Sequence, residues 1–111
     1  MTEKELARRT CEACVPGTPH LEEAAAAELH AQVDPAWERD ATRTLRRSFE
    51  FANFRDAFGF ATRVALLAEG QGHHPDMAVG WGRVVVALTT HAAGGLTDNE
   101  FIMAARIVRL G

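Results

Sequence analysis

The chain has 111 residues, 47% of them apolar and 24% charged, with a formal net charge of -3 at pH 7. That is one domain's worth of sequence, able to bury roughly 60–65% of its unfolded surface in a core that needs no staples. The acidic balance leaves no basic footprint for nucleic-acid phosphates. No apolar run reaches a membrane span and no hydrophobic leader opens the chain, so a cytoplasmic location is expected.

Residues 1–20 are polar, contain Pro16-Gly17-Thr18-Pro19, and read as a mobile lead-in to a single domain over 21–111. Cys11 and Cys14 form one Cys-x-x-Cys in this tail, which supplies half of a tetrahedral zinc site with no following His pair and no βαβ context for a redox motif. They are read as incidental or tail-ordering, with a metal shared across a subunit interface as the alternative. Thr18 as cap and Pro19 in the first turn predict an alanine-rich helix over 20–33 with Ala25, Leu29 and Val33 on one stripe, ended by Asp34-Pro35.

Trp37 to Asp40 reads as a short strand turning into a longer one. Over 42–51 Leu45, Arg47, Phe49 and Phe51 alternate with Thr44, Arg46, Ser48 and Glu50, a pattern of unequal faces. Asn53 as cap and Asp56 as its acidic partner open a helix over 54–70. Phe54, Phe58, Ala61, Ala65 and Ala68 form its stripe, broadened by Phe60, Val64 and Leu67; it is expected to be the main core helix, stopped by Gly70 and Gly72. A short strand over 76–80 and a strand over 83–90 follow, with His91 at the latter's end on the face of Val85, Ala87 and Thr89. Gly94-Gly95 is a turn, and Thr97-Asp-Asn-Glu100 is a capping box opening a helix with Phe101, Ala104, Ala105 and Val108 inward. The order α-β-β-α-β-β-α predicts an α+β domain: a four-stranded antiparallel sheet with three helices packed on one face.

Three of the five histidines fall in Glu69-Gly-Gln-Gly-His73-His74-Pro75 and Thr89-Thr90-His91, around Trp81. Adjacent side chains on extended backbone diverge, so His73 and His74 are poorly placed to share an ion, and no His-x-x-x-His is present. No Ser or Cys stands on a strand-to-helix elbow as a nucleophile. Two readings stay open on spacing alone: acid/base catalysis by imidazoles near neutrality, and histidines serving as structural hydrogen-bond partners.

The run Glu69-x3-His73-His74-Pro75-x5-Trp81-x9-His91-x8-Glu100 resembles the signature of the pterin-4a-carbinolamine dehydratases. Phe54-Arg-Asp-Ala-Phe58-Gly-Phe60-Ala-Thr62-Arg-Val64-Ala resembles the family's central helix, Leu88-Thr-Thr-His91 with Gly94-Gly95-Leu96-Thr97 its last strand and turn, and Trp37 its tryptophan ahead of the first strand. The resemblance spans about residues 21–111. It implies a cytosolic α+β hydro-lyase that converts 4a-hydroxytetrahydropterin to quinonoid dihydropterin and water, recycling the pterin for aromatic amino-acid hydroxylation, without bound cofactor or metal.

By position, His73 and His91 match the catalytic pair, and His74 matches the histidine that helps seat the pterin; the sequence leaves open which of His73 and His91 is the acid. Glu69, Pro75, Trp37, Trp81 and Glu100 fall at substrate-binding positions of the pattern. Four of them have a plainer reading: a core tryptophan at Trp37, a solvated helix-end carboxylate at Glu69, packing at Trp81, a capping-box residue at Glu100. Glu100 stands where the family usually has Asp, and Gly72 where polar residues are common. The resemblance also implies self-association as a homodimer or homotetramer through helices or sheet edges. The alternatives to the dehydratase are a non-catalytic pterin-binding or protein-dimerisation module of the transcriptional-cofactor kind, and a relative acting in molybdopterin metabolism.

Overall fold

The computed structural model describes residues 2–110, so Met1 and Gly111, the outer limits of the two expected segments, lie outside the described residues. Its elements in chain order are α1 (Glu3–Arg8), α2 (Glu23–His30), β1 (Glu38–Asp40), β2 (Thr44–Glu50), α3 (Phe54–Gln71), β3 (Asp76–Gly80), β4 (Arg83–Leu88) and α4 (Asp98–Ile107), with 3-10 turns at His91–Ala93 and Val108–Leu110. The four strands form one antiparallel sheet in the order β1-β2-β4-β3. The α+β architecture expected from the periodicities is present, with α1 added ahead of it.

The sheet's inner face follows from the alternation in β2 and β4. Leu45 lies opposite Leu88, Arg47 opposite Val86 and Phe49 opposite Val84, so one face carries the apolar ladder, and the opposing pairs Arg46–Ala87 and Ser48–Val85 carry the other. Leu45, Val84, Val86 and Leu88 are fully buried. Phe49 continues the layer to Trp37 and Phe60 at ring separations of 5.8 and 4.7 Å.

The central helix is α4, not α3 as the sequence suggests. Phe101, Ile102, Met103, Ala104, Ala105 and Ile107 are all buried, so α4 is covered nearly all round. Each large apolar side chain among them contributes roughly 1.5–3 kcal/mol of burial. On α3 the buried line is Ala57, Phe60, Ala61, Val64 and Ala68, while Phe54 and Phe58 are half exposed and stack on each other at 5.8 Å. The expected stripe is therefore rotated. The alanines let α3 approach the sheet closely, and the large aromatics that dominate a sequence reading face outward.

The first twenty residues also depart from expectation. α1 is a docked helix rather than a lead-in: Thr2 caps it by accepting from the Glu5 amide, and Leu6 is fully buried in the core. The Arg106 guanidinium fixes the following chain by donating to the Arg9 carbonyl at 2.6 and 2.9 Å. These ties reach distant residues, which composition does not register. α2 begins only at Glu23, without a side-chain cap. The Leu21 amide is committed to the Leu96 carbonyl at 2.8 Å and the Thr18 hydroxyl accepts from the Val15 amide, so neither takes part in the helix start. Ala26, rather than Ala25, is the residue it buries.

Candidate active site

His73 is positioned by the way α3 ends. Gly72 adopts a left-handed conformation (φ 64°) and donates to the Glu69 carbonyl, while the His73 amide donates to the Ala68 carbonyl. This paired closure satisfies the last helical carbonyls and turns the chain sharply, which needs a residue without a Cβ at position 72. Its product is a fixed placement of the His73 imidazole, itself buried, beneath the start of α4.

There the ring meets Glu100. His73 Nε2 lies in close contact with Glu100 Oε2, off the hydrogen-bonding direction. Glu100 is completely buried. Its Oε1 accepts from the Thr97 amide at 2.6 Å, closing the capping box predicted from the sequence, and its Oε2 accepts from the Thr90 hydroxyl at 2.7 Å. A buried carboxylate with this set of donors is held in one orientation, and its partners repay the cost of desolvating it. Glu100, which the pattern places among the substrate-binding positions, has no exposed surface and touches His73, Thr90 and Thr97.

Thr90 carries the connection to the other histidine loop. Its amide and carbonyl pair with Gly95, closing a loop in which His91 begins a 3-10 turn. Gly95 packs with no room for a side chain, since a Cβ there would stand 2.4 Å from the Thr42 carbonyl oxygen. β4 ends at Leu88, so His91 is not a strand residue on the face of Val85 and Ala87 as expected; it is solvent-exposed on the turn. One buried carboxylate thus contacts the His73 ring and the residue preceding His91. Thr90 has the signal of a polar residue ending an apolar strand, yet the sequence reading assigned it nothing.

His74 pairs differently. Its Nε2 lies 2.8 Å from Glu69 Oε1, and both side chains are exposed. Glu69 is thus in contact with the His74 imidazole at the surface. Pro75 follows, partly buried, immediately before β3. Trp37 is fully buried against Phe49 and beneath the Arg47 guanidinium, which makes it a core tryptophan rather than a pocket wall. Trp81 is 71% exposed on the β3–β4 hairpin and packs into no core of this chain.

Three surface clefts, of about 340, 230 and 420 Å³, are lined by other residues and by none of the three histidines. Among the described residues no group of three or more His, Cys, Asp or Glu is placed to hold a metal ion. No helix of the described residues is long and apolar enough to cross a membrane.

The sequence pattern of the family described as pterin 4 alpha carbinolamine dehydratase matches residues 19–110. A Rubrobacter xylanophilus protein provisionally named pterin-4-alpha-carbinolamine dehydratase is 45% identical over 106 residues, covering 96% of this chain and 98% of its own. A Methylococcus capsulatus protein with the same provisional name is 43% identical, over 95% of this chain and 92% of its own. Among solved structures, a Brucella melitensis protein described as a transcriptional coactivator/pterin dehydratase superposes with a TM-score of 0.75 at 35% identity, covering 82% of this chain and 97% of that one.

Proposed function

The chain belongs to the pterin 4 alpha carbinolamine dehydratase family, and from that premise we propose that His73 and His91 carry the dehydration while His74 seats the pterin ring. The observation that carries this reading is Glu100, whose buried carboxylate contacts the His73 ring and the hydroxyl of Thr90, next to His91. Dehydration of 4a-hydroxytetrahydropterin breaks the bond from the ring carbon to its hydroxyl. The oxygen leaves as water after accepting a proton, and a ring-nitrogen proton departs to complete the quinonoid product. The step needs one group to give a proton and one to take it, and imidazoles do both near neutrality.

The contact at Nε2 supports a division of roles. The Glu100 carboxylate occupies the Nε2 side of the ring, which leaves Nδ1 as the nitrogen offered to a substrate. His73 is accordingly assigned as the base that takes the ring-nitrogen proton, with Glu100 stabilising the imidazolium that forms. His91, exposed on its turn, is assigned as the acid on the departing hydroxyl. Glu69 orients His74 from the solvent side, with Pro75 and Trp81 assigned to the rim of the same site.

Self-association of identical chains belongs to this reading. Phe54, Phe58 and Leu66 on α3 are 49%, 56% and 69% exposed, and β1 pairs β2 only as far as Arg46, leaving the edge from Arg47 to Glu50 unpaired. An apolar helix face and a free strand edge are the surfaces a second copy would cover. Light scattering of the wild type beside Phe58→Glu tests it: a fall in mass is expected for the variant, and a monomeric wild type overturns it.

The test of the catalytic reading is the dehydration rate of 4a-hydroxytetrahydropterin followed by absorbance. The wild type is expected well above the spontaneous rate, with His73→Ala and His91→Ala each reduced by about a hundredfold or more. A His73→Ala enzyme that retains the wild-type rate overturns the assignment.

A further inference from the structure

The Cys11-x-x-Cys14 motif has no part in the chemistry above, yet the structure seats it against the neighbours of the His73–Glu100 pair. Asn99, buried and immediately before Glu100, clamps it. Its side-chain amide donates to the Glu12 carbonyl at 2.7 Å and to Cys14 Sγ at 3.7 Å, its Oδ1 accepts from the Glu12 amide at 2.9 Å, and its backbone carbonyl accepts from Cys11 Sγ at 3.7 Å. On the other side, the Cys11 amide donates to Gln71 Oε1 at 2.9 Å, and Gln71 ends α3 two residues before His73. The motif thus bridges both segments that bring the imidazole and the carboxylate together.

From this geometry we propose that Cys11 and Cys14 form a thiol–disulfide switch, oxidised by a low-molecular-weight disulfide, that acts through Asn99 and Gln71 on the His73–Glu100 pair. The proposal rests on the reading that this pair serves catalysis. Cys14 lines the cleft of about 230 Å³ between the N-terminal segment and α4, beside Arg9, Glu12 and Asp98, and meets the oxidant first. Burial and the nearby Glu100 carboxylate push the Cys11 thiol up to about 11, so it is protonated at neutral pH and reacts second, after losing its proton, which makes ring closure the slow step. In the first step the Cys14 thiolate attacks the small disulfide, forming a mixed disulfide and releasing one thiol. In the second, Cys11 gives up its proton and attacks the Cys14 sulfur, expelling the other thiol. The protein loses two hydrogens and the small disulfide is reduced to two thiols.

Residues 10–15 form no helix, strand or turn in the dithiol state. Closing the disulfide folds residues 11–14 into a tight bend, because its geometry holds the two Cα atoms about 4.4–6.8 Å apart. Cys11 Sγ then has no hydrogen for the Asn99 carbonyl, and the Glu12 backbone is drawn away from the Asn99 side chain. Both ties to the active-site segments weaken together.

The experiment incubates the full chain with oxidised glutathione, then with dithiothreitol, and follows intact mass, amide hydrogen exchange and steady-state kinetics. Wild type is expected to lose the mass of two hydrogens, to exchange faster at residues 71–73 and 97–100, and to lose about tenfold or more in kcat with KM little changed. Dithiothreitol is expected to reverse all three. Cys14→Ser should keep its exchange pattern and rate under the same treatment. A wild type that remains dithiol, that stops at a glutathione adduct, or that forms the disulfide with exchange and kcat unmoved overturns the proposal. If exchange at the two segments responds while neither redox form has activity above background, the structural coupling stands and the catalytic reading of the site is what fails.

Discussion

Two histidine–carboxylate pairs sit side by side in this chain, built from neighbouring residues and placed in opposite environments. His73 faces Glu100 with side-chain exposures of 10% and 0%, whereas His74 faces Glu69 with 62% and 79%. Water screens the second pair, so it adds little to stability and its members are free to rearrange around a ligand. The first is dry, and Glu100 is held additionally by Thr90 and Thr97. The comparison teaches that adjacent imidazoles can divide the work: one fixed in orientation by the interior, one left adaptable at the surface. Two adjacent side chains facing opposite environments produce this division from the dipeptide itself.

The sharpest way to break the comparison is to remove the buried carboxylate. Glu100→Ala is expected to destabilise the protein by about 3–5 kcal/mol in urea denaturation, because His73 and the Thr97 amide lose a buried partner together. Glu100→Gln retains the shape and the cap, and should leave a folded protein whose kcat falls by roughly tenfold or more, since the charge opposite His73 is gone. Equal activity in Glu100→Gln and wild type would show that the pair is structural.

Thr90→Val tests the next link. The loss of one donor to the buried carboxylate should cost about 1–2 kcal/mol by thermal denaturation, and a wild-type melting curve would remove Thr90 from the network.

A smaller effect is expected from pH. The folded Cys11 thiol titrates at about 11, above its ordinary 9.0, mainly through burial and secondarily through Glu100. Between these values the unfolded chain has released its proton and the folded chain still holds it, so the folded state binds more protons and stability falls as pH rises. Under reducing conditions the wild type should therefore lose stability between pH 9 and 11 more steeply than Cys11→Ser, with the two parallel below pH 8. Coincident alkaline slopes would refute the linkage.

Glu69→Ala is expected to do least, within about 1 kcal/mol in stability, while raising KM for the pterin. A drop comparable to Glu100→Ala would erase the contrast between the two pairs.

What the sequence revealed and what it hid divide along physical lines. Short-range signals read well: the Asn53 cap, the Gly72 stop and the Thr97–Glu100 box each stand where local hydrogen bonding demands them. The alternation in β2 and β4 likewise separated the two faces, because a period of two leaves little ambiguity. The phase of α3 was misread, since size drew the stripe through Phe54 and Phe58 while close approach to the sheet favours alanine. The docking of residues 2–18 was invisible because it depends on distant partners, Arg106 and Asn99, that no local pattern announces. Of the candidate site, the three histidines were legible from their spacing. The second role of Glu100 was not, because a complete local explanation, the capping box, concealed a contact arriving from a residue twenty-seven positions earlier.

That double role has a kinetic corollary. The first turn of α4 and the orientation of His73 depend on the same carboxylate, so fraying the helix by one turn disassembles both at once. Local opening at Thr97 and loss of a competent His73 are then a single event with one equilibrium constant. Amide exchange at residues 97–100 and loss of activity in denaturant should then follow one curve.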